Sequence, residues 1–86
     1  MYELYFTKRA EKDKKFLKDA NLDKKTRALL DLITISPYEN PPRYEKLVGD
    51  LKGCYSRRIN AQHRLVYKVD DEKRVIKILS MWSHYE

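Results

Sequence analysis

Apolar and polar positions along the chain change period several times, and each change marks an element. Tyr2, Leu4 and Phe6 alternate with Glu3 and Tyr5, which predicts a short opening strand with one buried face. Thr7 is placed as a helix N-cap. From Lys8 to about Ala20 the chain is rich in Lys, Glu, Asp and Ala, with Phe16, Leu17 and Ala20 as its few apolar contacts, so a surface helix with a narrow buried stripe is predicted. Asn21-Leu22-Asp23 breaks it. Asp23 is then suited to cap a second, more apolar helix through Leu29, Leu30, Leu32 and Ile33, which Pro37 forces to stop by about Ile35 or Ser36. Two helices joined by a tight turn form a hairpin that must bury its leucines against a sheet.

From Pro37 to about Asp50 the chain carries all three of its prolines, and a shaped crossing loop is predicted there, not a regular element. Gly53 starts the next strand. Tyr55, Arg57 and Ile59 alternate with Ser56, Arg58 and Asn60; after a polar turn, Leu65, Tyr67 and Val69 alternate with Arg64, Val66 and Lys68. Asp70 to Arg74 is a second polar turn, and the nearly continuous apolar run from Val75 to Trp82 predicts a final strand in a central position. The expected order is a strand, two helices and an antiparallel meander of three strands. That makes an α+β fold, an antiparallel β-sheet of about four strands packed against an N-terminal two-helix hairpin.

The turn between the two arginine-bearing runs decides their chemistry. If it is Asn60, Ala61 and Gln62, Ile59 pairs with His63, and Arg58 lies directly opposite Arg64 on one face, with Arg57 on the other. Opposed like charges destabilise a sheet, and an anion between them would remove that penalty. A two-residue turn would instead put Arg58 opposite Leu65. Arginines on a solvated strand face are also ordinary, so spacing leaves the anion site open.

Composition narrows the classes of function. At 86 residues there is room for one small domain, with 42% hydrophobic and 37% charged residues fitting a folded protein with a heavily charged surface. No apolar run approaches the roughly 20 residues that span a bilayer, and the N-terminus lacks a signal-peptide pattern, so a cytoplasmic protein with no membrane association is expected. Cys54 is the only cysteine and His63 and His84 the only histidines, which leaves neither a disulfide nor metal-ligand spacing; no metal and no cofactor are expected. The net charge of +6 divides evenly, +3 over residues 1–36 and +3 over 37–86, so there is no basic tail. Such a surface favours polyanionic partners, nucleic acid first. Lys8, Lys12, Lys14, Lys15 and Lys18 on the first helix could contact one, although a solvated helix face explains each of them as well.

Read alone, the remaining candidates are bland. Glu45 could act as a general base beside a basic strand or be a surface carboxylate, and His84, near the C-terminus, acquires no role from its position. His63 beside the turn is expected to pair across the hairpin or support the site. Tyr44, Tyr55, Tyr67 and Trp82 are expected to pack in core or loop, although an exposed ring near the arginines could stack on a base.

With those residues in view, Gly53-Cys54-Tyr55-Ser56-Arg57-Arg58-Ile59-Asn60-Ala61-Gln62-His63-Arg64-Leu65-Val66-Tyr67 resembles the Gly-x-aromatic-Ser-Arg-Arg-Ile-x-x-x-His-Arg-Leu-Val-Tyr signature of the Txe/YoeB toxins, in the RelE/ParE superfamily of toxin-antitoxin systems. The likeness extends to Pro37-Tyr38-Glu39, to Glu45 and Leu47, and to His84-Tyr85. It implies a single RelE-like toxin domain over residues 1–86 and ribosome-dependent mRNA cleavage in the decoding site, by metal-independent attack of the ribose 2′-hydroxyl on the adjacent phosphate. It also implies a site: Glu45 as base, Arg64 with Arg58 as phosphate clamp, His84 as acid, Tyr85 positioning the nucleotide or the histidine, and Lys46 lending charge to the RNA. The partners it implies are a cognate antitoxin of the Phd/YefM type, the ribosome with its mRNA, and a second copy of the chain in a homodimer.

The implied chemistry needs a base for the hydroxyl proton, cations for the charge growing on the phosphate, and an acid for the departing 5′-oxygen. A carboxylate, with a reference pKa of about 4.3, is ionised at neutral pH, whereas an imidazole at about 6.5 becomes a good acid when an anion lies beside it. Alternation also makes Arg64 the more important arginine for activity and Arg57 the less important. There are departures from the pattern: Val48 stands where relatives can carry a lysine, Ser83 lengthens the C-terminal segment, and Glu86 follows the usual terminal tyrosine. A different class of reading is a non-catalytic toxin of the same fold that binds a protein such as gyrase. Another is a degenerate module that only binds RNA or antitoxin. The set Glu45, Arg58, Arg64 and His84 distinguishes the enzyme, because neither alternative requires an acid-base pair around paired arginines.

Overall fold

The computed structural model describes residues 1–82 of the chain. Its elements are β1 (Glu3–Phe6), α1 (Lys8–Asp19), α2 (Asp23–Ile35), β2 (Tyr44–Lys46), a 3-10 turn at Gly49–Leu51, β3 (Cys54–Arg58), β4 (Arg64–Asp70) and β5 (Val75–Ser80). They form one five-stranded sheet in the order β1-β5-β4-β3-β2. The α+β class and the helical hairpin are as expected, with two differences in the sheet. It is mixed, because β1 runs parallel to β5 while the other neighbours are antiparallel. The fifth strand is β2, inside the proline-rich stretch predicted as loop. Tyr44-Glu45-Lys46 has no apolar alternation to announce it, and its structure comes from pairing with β3. β5 is interior, between β1 and β4, as its apolar run suggested, although the middle strand is β4.

Thr7 caps α1 as the sequence predicts: its Oγ1 accepts the Ala10 amide at 3.1 Å and donates to the Leu79 carbonyl at 2.8 Å, joining the helix start to the end of β5. The buried stripe of α1 is Ala10, Asp13 and Leu17, at helical spacing, while Phe16 and Ala20 face outward. Asp13 is buried because its Oδ2 accepts the Met81 amide at 2.9 Å. Asp23 is the first helical residue of α2 and not its cap; Leu22 holds the capping position without a side-chain hydrogen bond. The Thr26 hydroxyl donates back to the Leu22 carbonyl at 2.8 Å.

Leu17 and Ile33 from the helices meet Leu65, Tyr67, Ile76 and Ile78 from the sheet, with Ile59 and Met81 closing the ends; all are at most 2% exposed. Complete burial of such side chains stabilises a fold by about 1.5 to 3 kcal/mol each relative to exposure. Strand alternation therefore gives the sheet a helix-covered face carrying Arg57, Leu65 and Tyr67. The opposite, helix-free face carries Glu45, Ser56, Arg58, Arg64, Val66 and Lys68.

Arg57 is 1% exposed, and its guanidinium is surrounded by oxygen acceptors. Nε donates to the Tyr67 hydroxyl at 3.0 Å, one terminal nitrogen to the Pro42 carbonyl, and the other to the carbonyls of Pro37 at 3.1 Å and Glu39 at 2.8 Å. The Tyr67 hydroxyl in turn donates to the Pro37 carbonyl at 2.9 Å, and the guanidinium carbon lies 5.0 Å from the Tyr44 ring centre. One side chain thus satisfies the backbone of the proline-rich loop and leads it into β2. Replacing Arg57 by Ala orphans these buried acceptors, each costing about 1 to 3 kcal/mol. We expect Arg57→Ala to lose at least about 3 kcal/mol in urea denaturation, with Arg57→Lys failing to restore it because an ammonium cannot reach the same acceptors.

The loop is held from outside as well. Asp71 accepts the Tyr2 hydroxyl at 2.7 Å and the Tyr38 hydroxyl at 2.9 Å. These two bonds, Tyr2's first, hold the Asp71 carboxyl below its ordinary value; burial and the Asp71 bond push Tyr38 up, and the bond to Asp71 raises Tyr2. A depressed carboxyl contributes stability that is present above its unfolded value and is lost as pH falls through the folded one. Urea midpoints measured below about pH 4 should therefore fall less steeply with acid in Asp71→Asn than in the parent.

Candidate active site

The turn at Asn60-Ala61-Gln62 adopts the three-residue alternative. The Ile59 amide donates to the His63 carbonyl at 2.8 Å, while Asn60 Oδ1 accepts the amides of Gln62 at 2.9 Å and His63 at 2.7 Å. The side-chain amide of Asn60 thereby fixes the register, and Arg58 faces Arg64 directly. The unfavourable cation pair read from the sequence is real.

Glu45 joins it from β2. Its carboxylate lies 3.7 Å from an Arg64 terminal nitrogen, a loose ion pair with the two side chains about half (47%) and one-fifth (21%) exposed. Glu45 is in register with Ser56 on β3, and Ser56 with Val66 on β4. Glu45 and Arg64 therefore stand on strands two apart, and their ion pair reaches across β3 over Ser56. That residue is 2% exposed, and its hydroxyl has no hydrogen-bond partner among the described residues. A small side chain is what this crossing needs.

The helix-free face thus brings together Glu45, Arg58 and Arg64. Lys46 is set apart: next to Glu45 on a strand and in register with Tyr55, it projects from the other face. Val48, where a lysine can stand in relatives, is 84% exposed. His84 and Tyr85 lie outside the described residues. His63, expected to support the hairpin, does so through its backbone, and its ring stacks on Trp82 at 3.8 Å and 13°. Trp82 stacks in turn on Phe16 at 5.6 Å, so the arginine hairpin is tied to α1 at the point where the chain leaves β5. His63 Nδ1, like Ser56 Oγ, is buried without a partner among the described residues. Tyr44, Tyr55 and Tyr67 pack together beside Arg57 as expected, and Tyr38 joins their group. No cluster of metal-ligating side chains occurs among the described residues.

Chemically, two guanidiniums with a carboxylate loosely bound to one of them form a receptor for a phosphate flanked by a group able to accept a proton. Arg64 can exchange a weak, solvent-screened ion pair for a charge-assisted bond to the anion, which releases Glu45. Fold and site therefore define an α+β protein with two opposed arginines and a neighbouring carboxylate on the helix-free face of its sheet.

The chain belongs to the family of YoeB-like toxins of bacterial type II toxin-antitoxin systems, whose model matches residues 6–85. It is 40% identical over 76 residues to the toxin YoeB of Synechocystis, an alignment covering 88% of this chain and 79% of that one. A YoeB/ParE toxin from Agrobacterium tumefaciens superposes with a TM-score of 0.87 at 30% identity, over 96% of this chain and 99% of the other. The heterotetrameric YoeB-YefM complex from Staphylococcus aureus contains a chain that superposes with a TM-score of 0.82 at 41% identity, with 99% of each chain covered.

The ion pair and the orphan hydroxyl make separable demands on stability. Because the pair is loose and half exposed, Glu45→Gln should cost no more than about 1 kcal/mol in urea denaturation. Ser56→Ala removes an unsatisfied buried hydroxyl without leaving a large void, so its thermal midpoint should equal or exceed the parent's. A drop of several degrees would show that the hydroxyl is bonded in solution.

Proposed function

We propose that this toxin is an endoribonuclease that cleaves mRNA in the decoding A site of the ribosome, inhibiting translation. The observation carrying the reading is the juxtaposition of Glu45 with Arg64 and Arg58 on the helix-free sheet face. Glu45 takes the proton from the ribose 2′-hydroxyl, and the new O–P bond closes a cyclic phosphate as the bond to the 5′-oxygen breaks. Arg58 and Arg64 balance the charge on the non-bridging oxygens. His84, by family resemblance, returns a proton to the leaving oxygen, and Tyr85 positions the nucleotide. The step is balanced without a metal or cofactor. Lys46 is assigned a lesser part, contacting RNA or ribosome from the opposite face.

The toxin acts in the cytoplasm as a single domain spanning residues 1–86. No described helix is long and apolar enough to cross a membrane. Its antitoxin is of the Phd/YefM type, supported by the YoeB-YefM complex of the Staphylococcus aureus relative. Self-association as a homodimer is supported by the solved YoeB dimer from the same organism, 41% identical to this chain. The non-catalytic alternative, binding to a protein such as gyrase, gains nothing from a carboxylate poised on a phosphate clamp.

Mapping 5′ ends of a translated message with and without the protein tests this reading. Cuts confined to translated codons are expected, and intact message would refute it. In single-turnover cleavage on programmed ribosomes, Glu45→Ala and His84→Ala should each be slower by at least about a hundredfold, since proton-transfer groups typically supply that much. Arg64→Ala should impair the folded enzyme more than Arg57→Ala impairs its own folded fraction, because Arg57 serves the loop from the other face.

A further inference from the structure

The arginine pair is not the only opposed cation pair on the uncovered face. In β4, Arg64, Val66 and Lys68 share that face, and Lys68 is directly in register with Lys77 on β5. Both lysines are exposed, and neither is in an ion pair among the described residues. Their nearest acidic neighbours on this face are engaged elsewhere. Asp70, diagonal to Lys77, accepts the Lys73 amide at 3.0 Å, and Glu3, diagonal from β1, accepts the Tyr5 hydroxyl at 3.1 Å. An opposed ammonium pair carries the same penalty as an opposed guanidinium pair and has the same remedy, an anion bridging the two.

We infer that Lys68 and Lys77 form a second phosphate subsite, which holds the RNA backbone away from the cleaved bond on the same face. This rests on the RNA reading above and extends it. Four residue steps along β4 separate Arg64 from Lys68, about 13 Å at the usual strand rise, a distance that a short extended oligonucleotide bridges. Between the two cation pairs the β3–β4 row is Ser56 and Val66, both buried and uncharged, and the one carboxylate of that row, Glu45, stands to the side on β2. Asp70 and Glu3 stand beyond the lysines, towards the β4-β5 turn, and mark where an RNA track on this face ends.

Neutralising one phosphate of single-stranded RNA is worth a salt-dependence slope of about 0.7 in log K against log[salt]. The test is binding of an uncleavable, 2′-deoxy single-stranded oligonucleotide across a salt series. Lys68→Ala/Lys77→Ala should flatten the slope by about that amount. Lys24→Ala/Lys25→Ala, which removes the same charge from exposed positions on α2, should leave it unchanged. The thermal midpoint of the first variant should equal or exceed the parent's, because a repulsion is removed. On programmed ribosomes, its single-turnover rate at saturation should match the parent's while the half-saturating concentration rises. An unchanged slope, or equal flattening by both double variants, overturns the inference. So does an intact RNA slope accompanied by lost affinity for a poly-glutamate peptide, which would assign the lysines to an acidic protein partner. If the slope flattens as expected but the parent cleaves no message, the subsite stands and the nuclease reading fails.

Discussion

A fully buried guanidinium, that of Arg57, is the constraint on which the site depends. Its charge has been taken out of water and is compensated by carbonyl and hydroxyl oxygens instead of a carboxylate. Such an arrangement is stable only where the donors are met, and four of the five guanidinium N–H groups are, because an unmatched buried charge is far more costly than an unmatched neutral group. The proline-rich loop supplies the carbonyls in directions that proline's fixed φ helps to hold. In return, the loop is delivered to the sheet edge as β2, and Glu45 is placed where Arg64 can reach it. Adjacent residues of one strand thus divide the work: Arg57 organises the covered side, and Arg58 serves the open side.

The open side shows the opposite economy. Its cations are opposed in register, and among the described residues the one carboxylate paired with them, that of Glu45, is held only loosely. A scaffold selected for stability alone would alternate signs there. Local conflict of this kind is expected where a site has been kept ready for a ligand, with the stability lost there supplied by the core on the other face.

Much of this was legible in the sequence because it follows from period and punctuation. Pro37 stops α2, Thr7 starts α1, and the Asn60 turn sets Arg58 against Arg64; each is a local effect of one residue type. What was not legible is tertiary. Tyr44-Glu45-Lys46 becomes a strand only because β3 offers an edge and Arg57 fixes the preceding loop, so no window of sequence around Glu45 could show it. The parallel pairing of β1 with β5 joins the two most distant strands and leaves no local mark. Asp13 looked like one more polar residue on a charged helix; it is buried because a single amide, that of Met81, needs an acceptor. The partnership of Glu45 with the arginines was accessible only through family resemblance, and the separation of Lys46 from them only through the register.

The pairing of first strand with last has a consequence for how the toxin comes into being. β5 follows every other strand in the sequence and fills the gap between β1 and β4, so the sheet cannot close until β5 has been made. Contacts of such long sequence separation form late and slowly. A nascent chain that stops before Val75 has an arginine hairpin whose β4 edge is unpaired, and a first strand with nothing to pair with. The fold of the toxin is therefore completed only as its own synthesis nears its end.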